Sequence, residues 1–175
     1  SSLAKKPSKF AEYREAIQEA LQEVDEAVGV DADFKVMIAE TQEVEGSDLP
    51  EWKYVLGMSL SPEYHSVEEN TLFVRTTDSY ENWRSAVKHT VAHEEAHQEF
   101  YENRDLGSTV YDHMLFEGHA QKTVERVSEE NGYDWDIVDL TCSDVEADGL
   151  KQELEKDRAW NEEQSEEIST LFNPG

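Results

Sequence analysis

Within two residues the hydrophobic period of this chain changes. From Thr71 to Thr77, TLFVRTT, Leu72, Val74 and Thr76 fall on one side while Phe73, Arg75 and Thr77 fall on the other, the alternation of a strand. From Ser79 the spacing becomes helical and continues to about Leu106, with Gly107 as the natural stop. Upstream, Ser8 can cap a helix running to about Val28, on which Phe10, Tyr13, Ile17, Ala20, Leu21, Val24 and Val28 recur at helical spacing before Gly29. FKVMIAE (34–40) and WKYVLGMSL (52–60) read as two further strands, the second followed by the turn-rich SPEYHSVEEN. Thr109, with Asp112 three positions on, opens a second helix through a variant capping box, and Gly132 closes it. From about Asp134 the pattern gives shorter helical pieces and an acidic end near NPG.

Helix, strands, then helices predict an α+β fold with a small, mostly antiparallel sheet packed on the 79–106 helix. No repeat or low-complexity linker divides the chain, and 175 residues suit a single domain, 1–175, which buries roughly two-thirds of its unfolded surface.

The charge is extreme: 41 Asp and Glu against 15 Lys and Arg, a formal net charge of −26. Four Trp, seven Tyr and six Phe interrupt the acidic residues, which argues against disorder for most of the chain. Self-repulsion on this scale destabilises a compact fold unless salt screens it, and the Debye length falls to about 3 Å near 1 M salt. Because the acids are spread over the whole chain, we expect adaptation to a salt-rich cytoplasm rather than a nucleic-acid mimic or an acidic arm. No lysine and arginine cluster exists to hold phosphates, so nucleic acid is not an expected partner. No apolar run approaches a membrane span or the core of a signal peptide, so a cytoplasmic location is the default. Cys142, the only cysteine, permits no intrachain disulfide or thiolate cluster and reads as a small core residue.

The stretch TVAHEEAHQEF carries the chemistry. On a helix His93 and His97 are separated by about 40° of rotation and 6 Å of rise, so both imidazoles point to one place where a divalent metal can sit. Glu94, about 100° from His93, is too far round to join them as a ligand but can reach a water on that metal. HEEAH thus fits HExxH at each fixed position, on a stripe with Ala86, Ala96 and Phe100 that looks inward-facing.

A catalytic zinc takes three protein ligands and leaves one position for water. Phe100 and Asn103 stand where a three-histidine pattern needs Gly and His, so the third ligand is sought on the next helix. Glu117, twenty residues after His97, shares a stripe there with Val110, Met114, Ala120 and Val124, which would carry a carboxylate into an apolar surface. A metal is the natural partner for it, and Gly118 would let the two helices approach closely.

TVAHEEAHQ followed by LFEGHAQK resembles the gluzincin metallopeptidases, and more closely a family of predicted zinc-dependent proteases of bacteria and archaea. That family has a strand, a Trp, an HExxH helix and an EGxA helix. Thr71–Thr77, Trp83, His93–His97 and Glu117–Ala120 match in that order, and the resemblance spans about Val55 to Val127. It implies a zincin-like fold, one zinc per chain held by His93, His97 and Glu117, Glu94 as general base, and peptide or protein substrates. Gln121 stands where larger gluzincins often have an Asp to orient a ligand histidine; Gln can also accept that hydrogen bond.

The implied mechanism also needs a donor to the developing oxyanion. His113, one turn before Glu117, is the first candidate, followed by Tyr111, Tyr133 and His65. His89 rises about 12 Å from His97, too far to share one ion, and is expected to pack or to support a ligand. His119 is expected to face solvent, Arg75 to pair with a nearby carboxylate, and TLFVRTT to offer an edge to an extended peptide. The competing reading is a non-catalytic acidic binding or regulatory module on the same fold, for which Glu94 would serve no purpose.

Overall fold

The computed structural model describes residues 9–41, 55–79 and 81–135. Cys142, the expected start of the second strand at Trp52 and the helical pieces beyond Trp135 lie outside the described residues. Helix α1 spans Phe10–Val28 and buries Tyr13, Ala16, Ile17, Ala20 and Val24 at the predicted spacing. It ends at Gly29, whose φ of 67° only glycine adopts without cost, with the Gly29 N–H bonded to the Asp25 carbonyl.

Strands β1 (Lys35–Glu40), β2 (Leu56–Leu60) and β3 (Thr71–Thr76) form one sheet in the order β1-β3-β2. β1 runs parallel to β3, with Val36 opposite Leu72 and Ile38 opposite Val74, whereas β2 is antiparallel to it, with Ser59 opposite Leu72. The sheet is therefore mixed rather than mostly antiparallel. β3 is its centre, so the strand expected to offer a free edge is paired on both sides. The burial of neighbours Thr71, Leu72 and Val74, none more than 1% exposed, is what a central strand requires and what simple alternation conceals.

Helix α2 covers Trp83–Asn103, starting four residues later and ending three earlier than the periodicity suggests. Its C-cap, Arg104, is extended, and Gly107 serves a different purpose: a Cβ there would strike the Asp112 carboxylate that completes the cap of the next helix. That helix, α3, spans Val110–Asn131, and its capping box is formed as expected, with Thr109 and Asp112 satisfying each other's main-chain N–H.

The core follows from these faces. Tyr13, Ala16, Ile17 and Ala20 of α1 pack with Leu72 and Val74 of β3 and with Trp83, Val87 and Val91 of α2. Trp83 meets Tyr13 edge to face at 5.2 Å, and the Tyr13 hydroxyl donates to Glu40 and accepts the Asp78 N–H, tying α1 to β1 and to the turn after β3. A second cluster, Val24, Ala92, Val124 and Val127, joins all three helices. α2 thus lies between α1, α3 and the sheet. No helix of the described residues is long and apolar enough to cross a membrane.

Candidate metal centre

The seam between α2 and α3 brings His93, His97 and Glu117 together. His93 Nε2 is 3.3 Å from Glu117 Oε2, His97 Nε2 is 3.6 Å from Glu117 Oε1, and one ligand atom from each residue lies within 4.8 Å of the other two. Among the described residues this is the one cluster of three such groups so close. The His93 and His97 rings are nearly perpendicular with centroids 4.6 Å apart, as residues one helical turn apart must be to aim at a common point. Burial grades across the trio: the His97 side chain is 6% exposed, His93 26% and Glu117 35%. Glu117 therefore sits at the open rim rather than deep in an apolar surface, and the seam opens to solvent on its side.

Phe116 fixes His97. Its ring stacks on the imidazole at 3.8 Å and 10°, while its other contacts are Phe100 and Tyr101. The Nδ1 of His97 is buried without a hydrogen-bond partner among the described residues, so Gln121 does not orient this ring. Packing takes over that task. Gly118 does not bring the helices together either, since a Cβ there would meet nothing.

The close-approach glycine is Gly57, on β2. A Cβ at this position would lie 2.5 Å from both the Glu94 Cγ and the Thr90 Cγ2, so the strand rests on α2 only because Gly57 lacks one. Two residues on, the Ser59 hydroxyl donates to the Glu94 main-chain carbonyl, and the Ser59 hydroxyl and N–H both face the Glu94 carboxylate. Glu94 is thereby held against β2, within reach of the charges of His93 and Glu117.

The protonation states follow from burial and from the mutual charges. Burial drives the His97 pKa down to about 3, with His93 adding to the effect and Glu117 opposing it, so His97 is neutral. Burial also opposes the charged form of His93, but the hydrogen bond to Glu117 and the charges of Glu94 and Glu117 outweigh it and raise its pKa. Glu117 moves down against its own burial because His93, His97 and His113 favour its anion. Glu94 moves up, mainly through burial. A neutral imidazole, a second imidazole whose proton is held by the carboxylate, and an ionised carboxylate suit a divalent cation, which takes the place of that proton.

The remaining candidates separate clearly. His113 lies within reach of the Glu117 charge, and its burial lowers its pKa. Tyr133 is committed elsewhere, with its hydroxyl on Glu23 at 2.6 Å and on Lys88 at 3.0 Å. His65 accepts the Ser61 N–H through Nδ1. His89 meets the edge of Trp135 at 5.2 Å and is kept neutral by burial, a packing residue as expected. His119 is not solvent-facing: it is half-buried and bonded to Glu99 at 2.9 Å across the α2–α3 seam. Arg75 has its Nε buried without a partner among the described residues.

Two residues near the centre escape sequence reasoning. Glu95 is 5% exposed on α2, and burial, with the charges of Asp25 and Glu99, pushes its carboxyl up to about 8. Tyr101, one turn past His97, packs on Phe116 and feels the charges of both Glu94 and Glu117. The i, i+4 step from His97 and the i, i+7 step from Glu94 were available as signals for Tyr101. No family model, curated protein or solved structure matches the chain.

Proposed function

We propose that the protein is a zinc-dependent metallopeptidase of gluzincin type with a zincin-like fold. The observation that carries this reading is the convergence of His93, His97 and Glu117 from two helices on a single point, with Glu94 held beside it. Histidine and carboxylate donors in this number suit zinc and leave a position for water. When bound, zinc would lower the pKa of a coordinated water and polarise the scissile carbonyl.

His93, His97 and Glu117 would hold the metal, and Phe116 keeps the His97 ring in place by stacking on it. Glu94, whose pKa burial raises towards the working range of a base, takes a proton from the attacking water and returns it to the leaving amine as the C–N bond breaks. The edge of the sheet beside this centre is β2, not β3, among the described residues, and it lies directly over Glu94. An extended peptide added to β2 would bring its backbone to the metal, with alternate side chains facing the helices. Spread acidic charge fits work in concentrated salt.

The test is hydrolysis of a fluorogenic peptide library in molar potassium chloride. Cleavage by the zinc-loaded chain, abolished by 1,10-phenanthroline and lowered at least 10³-fold in Glu94→Gln, is the expected result. A zinc-loaded chain that cleaves no peptide would favour the non-catalytic binding module.

A further inference from the structure

We propose that the Tyr101 hydroxyl is the hydrogen-bond donor to the substrate's carbonyl oxygen as negative charge develops there, an assignment that rests on the peptidase reading. The argument begins with helix geometry. Residues seven apart return to within about 20° of each other, so Tyr101 lies on the Glu94 side of α2, two turns further on. Side chains on a helix lean towards its N-terminus, which runs the phenol back along α2 over the turn that bears His97.

The surroundings hold the ring in that position. Its ring neighbours are Phe116 at 5.3 Å, which itself stacks on His97, and, from the β2–β3 connection, Tyr64 at 5.4 Å and the edge-on His65 at 6.3 Å. Tyr64 is anchored in turn, its hydroxyl accepting the Leu106 N–H at 2.8 Å. The Tyr101 hydroxyl comes to the same β2 residue that faces Glu94: it is 3.5 Å from the Ser59 carbonyl, at the outer limit of a hydrogen bond. A half-buried hydroxyl with so long a bond is free to take a better acceptor.

Burial and the carboxylates of Glu94 and Glu117 raise the phenol's pKa well above its ordinary value, so it stays protonated at any pH at which the site works. It is a donor and not a base. In the reaction it gives a hydrogen bond and keeps its proton: water adds to the carbonyl carbon, Glu94 carries the proton to nitrogen, the C–N bond breaks, and Tyr101 ends as it began. His113, the residue that sequence favours for this task, lies one turn before Glu117 on α3 and acts on it through its charge.

Tyr101→Phe keeps the ring packing and removes only the hydroxyl. With zinc-loaded protein in molar potassium chloride, two ligands are compared by calorimetry: a phosphinic pseudopeptide, which presents a tetrahedral oxyanion, and a small thiol, which does not. Tyr101→Phe is expected to keep its zinc, bind the thiol within threefold of the wild type, and bind the phosphinic compound about 100-fold more weakly. On a peptide taken from the library, kcat falls about 100-fold or more while KM changes little. Phosphinate affinity and kcat within threefold of the wild type would overturn the assignment, as would a 100-fold loss of phosphinate affinity in His113→Ala with none in Tyr101→Phe. A wild type that binds zinc yet neither cleaves peptides nor binds the phosphinate removes the peptidase reading, and the Tyr101 role falls with it.

Discussion

Gly57 on β2 and Glu94 on α2 are packed so closely that no side chain fits between them: a Cβ on Gly57 would come within 2.5 Å of the Glu94 Cγ. Strand and base are therefore positioned by one contact. Gly57→Ala must push β2 away from α2 or turn the Glu94 side chain out of place, at a cost of about 1 to 3 kcal/mol. His93, His97 and Glu117, the proposed zinc ligands, are not among the side chains that such a Cβ would meet. The expected result is a folded, zinc-loaded variant with a lower denaturant midpoint and at least 10-fold lower peptidase activity; wild-type activity at a lowered midpoint would place Glu94 outside the reaction.

The stack of Phe116 on His97 replaces a hydrogen bond that His97 Nδ1 does not make among the described residues. Phe116→Leu keeps most of the buried volume but loses the stack, which is worth about 1 kcal/mol. Zinc affinity, measured by competition with a chromogenic chelator, should fall about 5-fold. An unchanged affinity would mean that something else orients the ring.

Glu95 gives the fold a pH dependence of its own. Its folded-state carboxyl is pushed up to about 8 from an ordinary value near 4.5, first by burial and then by Asp25 and Glu99. Between those values the folded chain holds a proton that the unfolded chain has released, so stability falls as pH rises through the window. Glu95→Gln removes this slope. By urea titration at fixed salt, the variant should gain on the order of 3 kcal/mol on the wild type at pH 9 and little at pH 4.5; parallel stability curves would show that Glu95 ionises freely.

A net charge of −26 sets the salt response. Raising potassium chloride from 0.1 to 2 M should raise the thermal midpoint by at least 10 °C, because screening shortens the reach of repulsion from about 10 Å to a few ångströms. A midpoint indifferent to potassium chloride would remove the argument for a salt-adapted protein.

The helices and the His93–His97 pair were legible in the sequence because helical spacing is a local property, whereas Glu117 was named from the stripe on its own helix and from the resemblance of LFEGHAQK to an EGxA helix. Gly29, Gly132 and the Thr109–Asp112 cap mark ends that any reader of side-chain chemistry can find. Strand order was not legible: nothing within TLFVRTT says that β1 and β2 flank it, and alternation alone does not distinguish an edge from a centre. Contacts between distant segments were hidden for the same reason. The resting of Gly57 on Glu94, the meeting of Ser59 with Tyr101 and the bond between His119 and Glu99 join residues 20 to 42 positions apart. Periodicity carries no information at that range. Gly118, by contrast, looked meaningful in sequence and proves to face open space.

The most direct test of the central claim is zinc stoichiometry by elemental analysis, on protein purified in molar potassium chloride, for the wild type, His97→Ala and Glu94→Gln. The account predicts about one zinc per chain in the wild type and in Glu94→Gln, and little or none in His97→Ala, because it assigns His97 as a ligand and Glu94 as a base beside the metal. No zinc in the wild type after incubation with the ion, or zinc retained in His97→Ala at the wild-type level, would contradict it.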